Sequence, residues 1–109
     1  MDLETIRKYC LEKKHTTEEF PFGETTLVFK VSGKIFLLIG LDNRPLQFNV
    51  KCDPEKAIDL RENYPDTVLP GYHMNKQHWN TVIVDGVLSK KQLLEMVDDS
   101  YTLVYKVKK

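Results

Sequence analysis

Apolar positions along the 109-residue chain change their period several times, and each change marks an element. Leu3, Ile6 and Cys10 recur at helical spacing, Glu4 and Lys8 form an i,i+4 pair on another face, and Asp2 can cap the start. An amphipathic first helix is predicted. From Lys13 to Glu24 the pattern lapses, which reads as a connecting loop pinned to the core by the two aromatics of Phe20-Pro21-Phe22-Gly23. Thr25 to Ser32 alternates, with Leu27, Phe29 and Val31 on one face and Thr26, Val28, Lys30 and Ser32 on the other, the period of a half-buried strand. Ser32-Gly33 supplies a turn, and Lys34 to Ile39 is a nearly continuous apolar run, as in a central strand covered on both faces. Beyond the turn cluster Asp42-Asn43-Arg44-Pro45, Leu46, Phe48 and Val50 alternate with Gln47, Asn49 and Lys51, which completes a three-stranded antiparallel meander.

Asp53-Pro54-Glu55 then starts a second helix with a cap, a proline at the first helical position and an early acid; Ala57, Leu60 and Tyr64 form its buried stripe and Pro65 ends it. Val68 to Met74, with Pro70-Gly71 inside, reads as a loop or an irregular edge strand, and Trp79 to Val84 as a further strand closed by Asp85-Gly86. Ser89 and Gln92 form a capping box, after which Leu93, Val97, Tyr101 and Val104 continue at helical spacing. The β-branched and aromatic stretch Tyr101 to Val107 also alternates, so propensity alone permits a strand there. A helix is preferred because the stripe runs unbroken from Leu93, and Lys106, Lys108 and Lys109 suit the negative end of a helix dipole. The order α-β-β-β-α-β-β-α over residues 1–109 predicts a single α+β domain, its mostly antiparallel sheet packed against helices.

Composition narrows the functions available. Sixteen Lys and Arg balance 16 Asp and Glu, so a generic, uniformly basic polyanion binder is excluded. With 41% hydrophobic residues the chain can bury one real core and needs no metal or disulfide staple. Cys10 and Cys52 lie in no ligand or redox spacing and read as buried free thiols, and the first residues lack the pattern of a signal peptide. A cytoplasmic monomer with no membrane contact and no cofactor is expected. Position changes the meaning of the zero net charge. Between Thr26 and Lys51, Lys30, Lys34, Arg44 and Lys51 face only Asp42; between Thr67 and Lys91, Lys76, Lys90 and Lys91 face only Asp85. A basic outer sheet face with basic hairpin tips, opposite an acidic helical side, follows if the strands share one sheet.

Chemistry-bearing side chains are densest from Tyr72 to Asn80, where His73, Lys76, His78 and Trp79 offer a cation, two imidazoles and an amphipathic ring suited to stacking. His73 and His78 lack an acidic or thiol partner at metal-ligand spacing. Cys52, just before a helix start, is the sole candidate nucleophile, because a helix dipole there can lower a thiol pKa, yet nothing in the sequence orients it. The isolated glycines form no phosphate-cradling loop. No enzyme is expected.

Several segments together resemble the MmcQ/YjbR family of small bacterial proteins. They are Phe20-Pro21-Phe22-Gly23, Val28-Phe29-Lys30-Val31, Gly33-Lys34-Ile35-Phe36, Pro54-Glu55-Lys56-Ala57, Leu60-Arg61, Pro70 to Lys76 running into His78-Trp79-Asn80, and Ser100-Tyr101. The resemblance implies an α+β double-wing fold, similar to secretion-chaperone-like folds, and a DNA-binding role. The resulting expectation is weak, salt-sensitive DNA binding through Lys30, Lys34, Arg44, Lys51, His73, Lys76, His78 and Trp79, with about 3 to 5 phosphate contacts and a log–log salt slope of roughly −3 to −4. Two rivals remain: a protein or peptide interaction module, signalled by a contiguous apolar patch around Phe22, Tyr72 and Trp79, and a small-molecule pocket lined by His73, His78 and Trp79.

Overall fold

All three predicted helix starts form. The Thr5 N–H donates to Asp2 (2.9 Å) at the head of α1 (Leu3–Leu11), and the Lys56 N–H to Asp53 (3.3 Å) at the head of α2 (Pro54–Asn63). Ahead of α3 (Lys90–Lys106), Ser89 and Gln92 exchange backbone and side-chain bonds of 3.1 and 2.9 Å, so the C-terminal segment is the helix its stripe predicts. The computed structural model describes residues 1–71 and 74–106. His73 and Tyr72 therefore lie outside the described residues, as do Lys108 and Lys109.

Six strands form one antiparallel sheet: β1 (Thr16–Glu19), β2 (Thr26–Val31), β3 (Lys34–Gly40), β4 (Gln47–Lys51), β5 (Val68–Pro70) and β6 (Trp79–Ile83), in the order β1-β2-β3-β4-β6-β5. Ser32 (φ 51°) and Gly33 (φ 84°) make the two-residue turn between β2 and β3, both central residues left-handed as a type I′ hairpin requires. Pro70 sits on the edge strand β5, where a missing N–H costs no ladder bond. The α+β order stands, with one strand added. Thr16 to Glu19, expected to be loop, pairs with β2; the stretch has no apolar alternation to reveal it, and its pairing partner lies 12 or so residues onward. Glu18, on the helix side of β1, accepts two bonds from Arg7 of α1 (2.7 and 2.6 Å), which holds its carboxyl below the usual range. The Phe20-Pro21-Phe22-Gly23 turn is likewise corrected: Phe20 and Phe22 are 51% and 64% exposed and anchor nothing in the core.

Helices cover one sheet face only. Leu27, Phe29, Val31, Leu37, Ile39, Phe48, Val50 and Val82 meet Ile6 and Cys10 of α1 and Leu93, Met96, Val97 and Val104 of α3, while Leu60 and Tyr64 of α2 pack at the margin. Alternation breaks at one place. Phe29 pairs with Leu37 but Lys30 with Ile35, so Phe36 is the extra residue of a bulge, and Phe36 and Leu37 both enter the core. The rung that would join Phe36 to Lys51 is made by Ser100 of α3, whose buried hydroxyl donates to the Phe36 carbonyl (2.5 Å) and accepts from the Lys51 N–H (2.8 Å). Tyr101 meets the Phe36 ring edge-on at 5.3 Å. Val28, expected on the solvent face, is buried there between its register partners Glu19 and Leu38.

Two outcomes test this account. Ser100→Ala strands a buried carbonyl and an N–H, and is expected to cost about 2–3 kcal/mol in urea unfolding, against about 1 kcal/mol for the exposed cap change Ser89→Ala. Burial raises the Cys10 thiol to about 12, and burial followed by the Asp98 hydrogen bond raises the Tyr9 hydroxyl to about 12. Both protons are held more tightly in the fold than in the unfolded chain, so stability is intact below about pH 8.5 and falls as pH rises toward 12. The urea midpoint should drop between about pH 7.5 and pH 10.5, and Cys10→Ala should narrow that drop.

Candidate nucleic-acid interface

On the face opposite the helices the alternation presents Thr17 and Glu19 of β1, Thr26, Val28 and Lys30 of β2, Gln47, Asn49 and Lys51 of β4, and Trp79, Thr81 and Ile83 of β6. The bulge adds Ile35 and Leu38 of β3, since Ile35 now stands opposite Lys30. A cleft of about 510 Å³ opens here, lined by Phe22, Thr26, Ile35, Leu38, Gly40, Asn43, Gln47, Asn49 and Met74. None of these carries a charge. Gly40 shapes the floor: with no side chain of its own, it lets the Asn43 amide lie across it, where a Cβ would collide. Asn49 accepts a 2.5 Å bond from the Thr81 hydroxyl, which orients its amide on the same surface.

The expected cations do not form a continuous basic face. Lys30 is half-buried and ion-paired with Glu19 (3.0 Å), an acid that β1 carries onto the sheet and that a loop reading left out of the charge count. Lys34 is exposed at the β2–β3 turn, where its register with the core residue Val31 places it on the helix side; Lys51 is half-buried opposite Trp79 at the same end of the strands, and Lys76 is exposed in the loop that enters β6 there. Arg44 is exposed at the opposite end, two residues from the exposed Asp42, where it donates to the carbonyls of Leu41 (3.0 Å) and Asn43 (2.7 Å). Among the described residues none of these four cations forms an ion pair. Lys51 and Lys76 thus stand at one end of a neutral cleft and Arg44 at the other. On the helical side, acids are partly neutralised internally: Lys13 pairs with Asp98 and Lys56 with Asp99, each at 2.5 Å.

His78 and Trp79 are half-buried and do not line this cleft, which among the described residues takes Met74 from their segment. Cys52 is buried, and that burial pushes its thiol up, opposite to the lowering a nucleophile at a helix start would need. Among the described residues no three His, Cys, Asp or Glu side chains gather to hold a metal, and no helix is long and apolar enough to cross a membrane.

Arg61 of α2 positions the loop that precedes β6. Its guanidinium donates to Asn80 Oδ1 (2.8 Å), to the Trp79 carbonyl (3.0 Å) and to the Lys76 carbonyl. Gly71 closes the other side, its N–H on the Trp79 carbonyl (2.9 Å) and its Cα too near Trp79 to admit a Cβ. Motif spacing alone did not separate Arg61 from a solvated helix face, because its partners lie 15 to 19 residues away across a turn. Arg61→Ala is expected to lose about 2–3 kcal/mol by leaving the buried Asn80 oxygen unpaired. It should also speed amide hydrogen exchange at Gly71 and Trp79 while leaving β2 and β3 unchanged.

The chain is similar to known proteins over most of its length. The YjbR family profile matches residues 11–103. The chain is 39% identical over 102 residues to the uncharacterized protein YbdF of Escherichia coli O157:H7, covering 93% of this chain and 82% of that one. It is 33% identical over 102 residues to the uncharacterized protein YjbR of Escherichia coli K12, covering 93% and 85%. The crystal structure of Deinococcus radiodurans DR2400, assigned to the domain family DUF419, superposes with a TM-score of 0.91 at 40% identity over 94% of this chain and 78% of that one. With the match spanning the cleft, the Arg61-bound loop and Ser100, the chain belongs to the YjbR family.

Proposed function

We propose that this chain is a non-enzymatic, cytoplasmic, monomeric protein that binds DNA on its open sheet face. The observation that carries the reading is the arrangement of Lys51, Lys76 and Arg44, three cations without an acidic partner among the described residues, at the two ends of a neutral cleft. Phosphates satisfy such groups at both ends of one bound strand, and a net charge of zero keeps the affinity modest and local. Lys30 contributes little, because Glu19 already neutralises it. The apolar lining of Phe22, Ile35, Leu38 and Met74 favours a second reading, an apolar peptide docked in the cleft. Amides at Asn43, Gln47 and Asn49 together with cations at both ends weigh toward the polyanion.

Fluorescence anisotropy with labelled oligonucleotides decides between them. Binding is expected at about 50 mM salt with a log–log slope of roughly −2 to −3, as about three phosphate contacts imply. Lys51→Glu combined with Lys76→Glu should abolish it, whereas Lys30→Glu should change it less. An absence of binding at low salt, or binding indifferent to the double charge reversal, overturns the DNA reading in favour of the peptide.

A further inference from the structure

The lining of the cleft bears on which form of DNA fits. From Ile35 to Gly40 the cleft follows β3 for about 17 Å. That is room for roughly five nucleotides at the stacked rise of about 3.4 Å. Along this length the surface is neutral: aromatic and aliphatic on Phe22, Ile35, Leu38 and Met74, amide-bearing at Asn43, Gln47 and Asn49. Charge appears only at its ends. A duplex presents the opposite pattern, phosphates on the outside and base faces hidden in the stack, so its backbone would meet this cleft where no cation stands. Moreover, among the described residues no helix lies on this face to enter a major groove.

We infer that the ligand is single-stranded DNA laid along β3, with unpaired bases seated in the cleft beside the Asn43 amide and its phosphates reaching Arg44 at one end and Lys51 and Lys76 at the other. This rests on the DNA reading above and specifies its strand form. Base faces are covered by the apolar lining, and Phe22, 64% exposed beside the cleft, offers its ring for stacking. Base edges meet the amides of Asn43 and Gln47, which donate and accept and so suit any base. Gly40 is the residue that lets the Asn43 amide lie flat on the floor. Its φ is not left-handed and the group a Cβ would displace is the tip of the Asn43 side chain, so a larger residue pushes that amide into the cleft without breaking the strand.

The test compares a labelled single-stranded 12-mer of mixed sequence with its duplex, against wild type, Gly40→Val and Phe22→Ala. Wild type is expected to bind the single strand at least about tenfold tighter than the duplex, and each variant to weaken single-strand binding by about five- to tenfold. The salt slope should stay as it is in wild type, because the phosphate contacts remain. Circular dichroism reports whether Gly40→Val folds; Phe22→Ala, at an exposed site, keeps the question answerable if it does not. Duplex binding as tight as single-strand binding, or folded variants that bind the single strand like wild type, overturns the strand assignment and leaves the DNA reading standing. Failure of wild type to bind either form at low salt overturns that reading itself.

Discussion

One extra residue in β3 organises both faces of this protein. With strict alternation, a strand that directs Leu37 and Ile39 into the core would also direct Ile35 there and push Phe36 outward. The bulge opposite Phe29 and Lys30 reverses that choice, so Phe36 fills the core and Ile35 lines the cleft. A bulge breaks the ladder and frees the Phe36 carbonyl and the Lys51 N–H, which need other partners. Ser100 supplies both missing bonds from α3. The helix that closes the core is thereby also the element that makes the distorted strand tolerable, and Tyr101, against Phe36, sets its angle.

Placing every helix on one face leaves the other sheet face to be managed by side chains alone. Near β1 and β2 it is closed by charge, with Glu19 and Lys30 paired over Val28. Toward β3 and β4 it is left open and neutral, with the Asn43 amide laid over Gly40. The asymmetry gives the surface a direction along β3, since Arg44 stands beyond one end of the cleft and Lys51 and Lys76 beyond the other. On the helical side three ion pairs form instead: Arg7 with Glu18, Lys13 with Asp98, Lys56 with Asp99.

The segment entering β6 shows how a chemically dense stretch can serve position more than contact. Arg61 reaches three oxygens across the turn, and Gly71 allows the backbone to close on Trp79 from the other side. Asn80, which reads as a turn former or a surface ligand, is instead buried and holds Arg61. What this bracing leaves exposed is Lys76, whose carbonyl Arg61 fixes while its ammonium faces solvent.

Local patterns were sufficient wherever the deciding interaction lies within a few residues. Asp2, Asp53 and the Ser89–Gln92 box cap their helices through bonds three residues long, Ser32-Gly33 turns through its own backbone angles, and the stripe from Leu93 to Val104 specifies a helix by its period. Long-range pairing decided the rest. β1 has no apolar alternation and exists because β2 offers it a ladder; Glu19 reaches Lys30 only through that pairing and removes it from the free cations. Phe22, by sequence a core anchor, is turned out to solvent, and the bulge that moves Ile35 to the cleft depends on a serine 64 residues beyond the carbonyl it satisfies. The chain alone determined its elements and the unequal placement of its charges, because caps, turns and periods are local. Which face is open, which cations are free and where the cleft lies were decided by tertiary structure, because each requires partners that only the folded sheet brings together.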